Sequence, residues 1–309
     1  MNVTFRRIPN IPIGVLPTLF TLGNLVCGFA AIVIASRVGR PLSAEVPLEQ
    51  LLVDFRNVQI AGWLIFAAMV FDALDGHVAR LTRTTSDFGA QLDSLCDVVS
   101  FGVAPGYLLV KMCPDFALEH QRAVWMIATL IACCAALRLA RFNVELDAEE
   151  AKLAEESKLA ENVKADGTEP VEPKEVDHST FSGLPSPAAA GAIAGFAIIF
   201  HTILSGFGSR ENHWLLQCFQ TAQILLPFYG AFVAVLMVSR LSYPHVVNRF
   251  FKGKRRFRDV IRVVLLLFLL LLFRNYAIPL AFFVFTVSGP VRYVCRWIWY
   301  RRLPEEELF

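Results

Sequence analysis

Apolar residues along this chain gather into long runs separated by short polar stretches. A membrane-spanning helix needs roughly 20 mainly apolar residues. Eight segments read as spans: Ile13–Ser36, Val58–Arg80, Phe88–Val110, Ala123–Arg141, Pro185–Leu204, Ala222–Val238, Val260–Phe273 and Ala277–Val294. The last two are separated only by Arg274, Asn275 and Tyr276. A single helix across both would be too long to cross once, so they read as a hairpin, with the seventh span short. The pattern predicts an all-α, polytopic membrane helix bundle.

Two stretches break the apolar pattern. Glu145 to Ser179 is rich in Ala, Glu and Lys and then in Pro, Glu and Asp, so it is expected to begin as a helix and end as a polar connector. Lys252 to Arg258 is a basic cluster just before a span, suited to anionic headgroups and to setting topology. The expected organisation is a membrane core over residues 1–243, with the connector at 145–179, followed by a basic segment and terminal hairpin over 244–309.

Lys and Arg fix the orientation. With eight spans, the side holding both termini carries 22 of these residues and the other side 7, out of 29. Positive residues favour the cytoplasmic side, so both termini are expected there, in the cell (inner) membrane. The composition agrees: 55% of residues are hydrophobic and 18% charged. A net charge of +2 offers no case for a nucleic-acid binder. The seven cysteines include no C-x-x-C pair, which leaves them as small apolar packers rather than a zinc site or disulfide framework.

Ionisable groups inside spans are costly and normally mark a function. Asp72, Asp75, Gly76 and Ala79 stand at i, i+3, i+4 and i+7 and share one helix face. Gly89, Asp93 and Asp97 form a second stripe at i, i+4 and i+8. The short connection between the two segments makes antiparallel neighbours the expectation, with four carboxylates converging near the cytoplasmic side. Four such groups cannot stay ionised together without counter-charge. Two divalent cations would supply it, and all-oxygen ligands favour Mg²⁺ or Mn²⁺. Two ions roughly 4 Å apart suit phosphoryl chemistry. Gly76, Ala79 and Gly89 leave room beside the carboxylates for a nucleotide. His77 lies off the shared face and reads as incidental.

The run D-x-x-D-G-x-x-A-R-x8-G-x-x-x-D-x-x-x-D is complete from Asp72 to Asp97. It resembles the signature of the CDP-alcohol phosphatidyltransferase family. That resemblance implies a six-helix catalytic core, here followed by the terminal hairpin, often homodimeric, with a two-metal site facing the cytoplasm. It implies that Asp72, Asp75, Asp93 and Asp97 ligate metal and that Asp97 is also the general base. Gly76, Ala79, Arg80 and Gly89 are implied to shape the cytidine diphosphate site. Further segments resemble the serine-using branch: Leu16 to Gly28, Asp97 to Pro105, Arg138 to Asn143, Phe181 to Pro187 and Leu236 to Arg240. In the first of these, Thr21 and Asn24 are placed to face the CDP-lipid.

The expected reaction moves a phosphatidyl group from CDP-diacylglycerol to the hydroxyl of L-serine. Serine carries a carboxylate, and arginine forks suit carboxylates. Arg138 and Arg141, three apart at the cytoplasmic end of the fourth span, with Asn143 beyond, are the candidates to read it. Ser182 and Ser186 sit beside prolines and read equally as helix-start residues. A sibling enzyme using glycerol 3-phosphate or inositol phosphate is the nearest alternative. A divalent-cation transporter is a distant one, and it would place acidic residues on several spans at different depths.

Overall fold

The computed structural model describes residues 15–39, 48–82, 87–165, 180–206, 213–244 and 273–300. The helices are α1 (Val15–Ser36), α2 (Leu48–Thr82), α3 (Asp87–Asp97), α4 (Ala104–Met112), α5 (Pro114–Ala165), α6 (Ser186–Gly206), α7 (His213–Val238) and α8 (Arg274–Tyr300). A π-helical turn, Val98–Val103, joins α3 to α4. Two three-residue strands, β1 (Thr180–Ser182) and β2 (Ser242–Pro244), pair antiparallel with Phe181 opposite Tyr243. Among the described residues, seven helical segments are long and apolar enough to cross a membrane, so the chain is an all-α, multi-pass bundle.

These seven correspond to seven of the eight expected spans. The remaining one, Val260–Phe273, lies almost wholly outside the described residues, so the hairpin pairing is not described. Two helices run further than the apolar pattern indicated. α2 begins at Leu48, ten residues before the expected start. α5 continues through the Glu/Lys-rich stretch as far as Ala165. Its last 20 residues are good helix formers, which lets the rod extend without an apolar face. Backbone at His120 (φ −126°, ψ 40°) breaks the helical path near its start.

α6 is the central helix. Ala188–Ala190, Ala192–Ala194, Ala197 and Ile198 are all buried. Its small residues let neighbours approach closely, the usual route to tight packing where lipid removes the hydrophobic drive between helices. A Cβ built on Gly62 of α2 would lie 3.0 Å from the Ala194 carbonyl oxygen of α6. One built on Gly195 would lie 2.9 Å from Pro279 Cα of α8. α2 and α8 therefore both lean on α6 through glycines. An aromatic cluster of Phe55, Phe200 and Phe219 fills the end of the bundle away from the aspartates, with edge-on ring pairs at 5.1–6.2 Å.

α1 packs along α2 on one side and along α3, the π-turn and α4 on the other. The third span also meets α2 directly, through α4 and the π-turn, so the two acid-bearing spans are neighbours as expected and α1 packs against both. The π-turn has a local cause in sequence. Pro105 has no N–H to donate, and its ring crowds the carbonyl four residues earlier. The ladder widens there, and Ala104 N–H donates to Val99 O, five residues back.

The strand pair closes one end of α6 and α7. Gly183, at φ +86°, makes the turn from β1 toward α6. A side chain there would meet the Met237 carbonyl oxygen at 2.5 Å, so both the backbone angle and the space require glycine. Tyr243 of β2 is fully buried and its hydroxyl donates to Thr286 O of α8 at 3.1 Å. Gly289 of α8 gives the Tyr243 ring its seat: a Cβ at 289 would fall 2.5 Å from the tyrosine oxygen. Burial raises the Tyr243 hydroxyl to about 12, so it acts as a neutral donor.

Candidate active site

Asp72 and Asp75 stand near the end of α2, Asp93 and Asp97 near the end of α3. Asp72, Asp75 and Asp93 each offer a carboxylate oxygen, and these oxygens lie within 4.8 Å of one another. Asp75 is 5% exposed and Asp97 7%. Asp97 stands outside the tight trio but within electrostatic reach of all three other carboxylates. Its Oδ1 accepts a hydrogen bond from Asn24 Nδ2 of α1 at 2.9 Å.

Two carboxylate oxygens of the trio, Asp75 Oδ2 and Asp93 Oδ1, are buried without a hydrogen-bond donor. A buried, undonated carboxylate oxygen is costly, and oxygens this close repel one another. A hard divalent cation answers both problems at once, because it takes oxygen ligands and supplies positive charge. The donor set therefore fits a metal ion of that class.

The remaining expected residues distribute as follows. Thr21 is buried on α1 beside Asp75, and its hydroxyl donates to Pro17 O at 3.1 Å. Gly76 is exposed, and a Cβ built there meets nothing within 4 Å, so open space adjoins the trio. Gly89 is half-buried on α3. Ala79 and Arg80 lie in the final turns of α2, with side chains outside the described residues. Gly23 of α1 lies against the Phe71 ring, 2.8 Å from a Cβ built there, which brings α1 hard against α2 beside Asp72.

The three candidates on α5 separate. Arg138 is half-buried and within electrostatic reach of Asp97. Its Nη1 donates to the hydroxyl of fully buried Ser186 at 3.0 Å, while its Nε is buried without a partner. Arg141 is exposed and its Nε pairs with Glu145 one turn further along at 2.7 Å. Asn143 donates to Ser94 Oγ of α3 at 2.9 Å and so ties α5 to the acid-bearing helix. Sequence reasoning did not single out Ser94 or the Ser100 hydroxyl, which donates to Asn24 O at 3.1 Å. Asp54, also buried, stands 18 residues before Asp72 on α2, about 27 Å along the axis at 1.5 Å per residue, and belongs to the opposite end of the bundle.

A carboxylate cluster at the ends of two membrane helices, with an arginine across from it, marks a phosphoryl-handling membrane enzyme. The sequence profile of the CDP-alcohol phosphatidyltransferase family matches residues 14–200, and the chain belongs to that family. Three relatives carry one name, CDP-diacylglycerol–serine O-phosphatidyltransferase. The Methanocaldococcus jannaschii protein is 34% identical over 189 residues, 61% of this chain and 65% of the relative, just under two thirds of its length. The Helicobacter pylori (strain J99) protein is 28% identical over 289 residues, 93% of this chain and 94% of the relative. The Bacillus subtilis protein is 27% identical over 231 residues, 74% of this chain and 90% of the relative.

Proposed function

We propose that this protein transfers the phosphatidyl group of CDP-diacylglycerol to the hydroxyl of L-serine, giving phosphatidylserine and CMP. The observation that carries this reading is the meeting of Asp72, Asp75 and Asp93, oxygens within 4.8 Å, with Asp97 beside them and Arg138 within its reach. The names of the relatives support serine as the acceptor.

Asp72, Asp75 and Asp93, with Asp97, would hold two divalent cations, Mg²⁺ or Mn²⁺. Bound there, such ions supply the positive charge that holds a diphosphate and stabilises a departing phosphate. Asp97 accepts the proton of the serine hydroxyl as its oxygen forms a bond to the phosphatidyl phosphorus. The bond from that phosphorus to the bridging oxygen breaks, and CMP leaves with the electron pair. General-base help of this kind is typically worth about 10²–10⁴-fold. No covalent enzyme intermediate is needed.

Arg138 receives the serine carboxylate. Its Ser186 bond fixes one arm of the fork, and its unpartnered Nε remains to donate. Arg141 lines the rim from its pair with Glu145, and Asn143 sets the position of α3. The open space at Gly76, together with Gly89, Ala79 and Arg80, takes the cytidine diphosphate, with Thr21 facing it from α1. The bias of Lys and Arg supports an inner-membrane protein with termini and site on the cytoplasmic side. The family resemblance supports a homodimer.

The test is CMP release by purified protein in detergent with CDP-diacylglycerol and Mg²⁺ or Mn²⁺. Serine, glycerol 3-phosphate, inositol phosphate and water are compared as acceptors. Release with serine alone, abolished in Asp97→Asn, is the expected result. Release with another acceptor instead would keep the metal site and remove the serine assignment.

A further inference from the structure

We propose that Asn24 and Ser100 are positioning residues that fix the carboxylate of Asp97 for proton transfer. The proposal rests on the role given to Asp97 above.

The three residues form a closed ring. Asn24 Nδ2 donates to Asp97 Oδ1 at 2.9 Å. Ser100 Oγ, three residues beyond Asp97, donates back to the Asn24 carbonyl oxygen at 3.1 Å. Asn24 and Ser100 are both 0% exposed, so neither bond competes with water. Thr129 and Thr202 each donate within their own helix, to Trp125 O and Ile198 O. That back-bond four residues away is the ordinary outcome for Ser and Thr in a helix. Ser100 instead reaches across to α1.

Two features make that reach possible. Asp97 and Ser100 stand three residues apart, a spacing that shares one helix face, and both address α1. Gly28, one helical turn after Asn24, lets the backbones touch: a Cβ built on it would lie 2.7 Å from Ser100 Cα and closer still to its hydroxyl. π-Turns are found frequently at functional sites, and this one begins at the residue after the proposed base.

The amide also pays an electrostatic cost, since Asn24 Oδ1 is buried without a donor. The orientation that leaves it so is the one that points Nδ2 at Asp97. A single hydrogen bond to Oδ1 stops the carboxylate from rotating about its Cβ–Cγ bond. The second oxygen is then held in one place to take the acceptor's proton. Ser100 acts one step removed, by locking the turn of α1 that carries the amide.

The experiment is a double-mutant cycle in the full-length protein, reconstituted with CDP-diacylglycerol, a divalent cation and serine. Asn24→Ala, Ser100→Ala and the double variant are compared with Asp97→Asn. Misplacing a reacting group by about 1 Å can cost about 10²-fold. On that scale kcat is expected to fall about 30–100-fold in Asn24→Ala and about 5–20-fold in Ser100→Ala. The KM values for serine and for CDP-diacylglycerol stay within about twofold, and the double variant is no slower than Asn24→Ala. Thermal unfolding of each variant in the same detergent reports whether the fold survives. Ser100→Cys, nearly the same shape with a weaker donor, is expected to fall between wild type and Ser100→Ala. A rise in the CDP-diacylglycerol KM of Asn24→Ala with kcat intact would make Asn24 a lipid contact and overturn the proposal. Full kcat in a folded Ser100→Ala, or effects that multiply in the double variant, would also overturn it. If Asp97→Asn itself kept its kcat, the base assignment would fall first. A dead Asp97→Asn with unaffected Asn24 and Ser100 variants would remove only the positioning role.

Discussion

Arg138 of α5 and Ser186 at the start of α6 are joined by a 3.0 Å hydrogen bond, 48 residues apart in sequence. The bond uses one guanidinium arm and leaves Nε buried without a partner. A lysine cannot span both positions, because its single ammonium lacks the fork. Arg138→Lys is therefore expected to raise the serine KM by about tenfold or more, as loss of a charge-assisted contact worth roughly 1.5–3 kcal/mol implies. The KM for CDP-diacylglycerol should stay near wild type. Arg141→Lys should have a smaller effect, since exposed pairs such as Arg141–Glu145 contribute about 0.2–1 kcal/mol. Initial-rate kinetics with serine varied settles the point: an unchanged serine KM in both variants would remove the carboxylate assignment.

Asp75 and Asp93 each present a buried oxygen with no donor. Neutralising either as Asn leaves an amide where a ligand is required. Asp75→Asn and Asp93→Asn are each expected to lower CMP release by about 100-fold or more, a loss of about 2.7 kcal/mol. Chelation with EDTA should abolish activity in the wild type, and added Mg²⁺ or Mn²⁺ should restore it. Activity that survives exhaustive chelation would contradict the metal reading.

Asn143 and Ser94 tie α5 to α3 through one partly buried hydrogen bond at 2.9 Å. Asn143→Ala should lower stability by about 1 kcal/mol, the usual net worth of such a bond. If the tie also keeps Asp93 in place, half-maximal activation should require more divalent cation. A metal titration compared with the thermal midpoint separates the two effects.

Gly289 carries the Tyr243 ring against α8. Gly289→Ala drives a methyl group into that ring and is expected to cost about 1–3 kcal/mol, as overpacking typically does. Tyr243→Phe loses only the bond to Thr286 O and should cost about 1 kcal/mol. The ordering of the two midpoints in detergent is the check, and equal midpoints would argue against the steric account.

Much of this was legible in the sequence because apolar run length and helical spacing act locally. Asp72 and Asp75 share a face because they stand three residues apart, and no tertiary contact is needed to see it. Partners across the bundle are another matter. Asn24 and Asp97 are 73 residues apart, and Asn24 and Ser100 are 76 apart. Periodicity says that Asn24 lies on a face but not which helix covers it. The packing of α1 against both acid-bearing helices was hidden for the same reason. The helical start of the 145–179 stretch was legible in its Ala, Glu and Lys content, because helix propensity does not stop where apolar content does. Arg138 and Arg141 look equivalent at three-residue spacing. Only the surroundings distinguish them: one meets Ser186 inside the bundle, the other meets Glu145 outside it.

The π-turn also sets a rotational phase. Each residue in an α-helix advances the side chain by about 100°, so one extra residue turns everything downstream by that angle without moving the axis. Upstream of the turn, Asp93 and Asp97 address the carboxylate cluster. At its end and beyond it, Gly102 and Gly106 face α5, with built Cβ atoms 3.0 Å from Ala135 Cβ and 2.8 Å from Ala128 O. The third span is thus two keyed half-shafts, one indexed to chemistry and one to packing. Removing a single residue between Val98 and Val103 would leave both halves helical and hydrophobic, yet no rotation of the whole span could seat both at once.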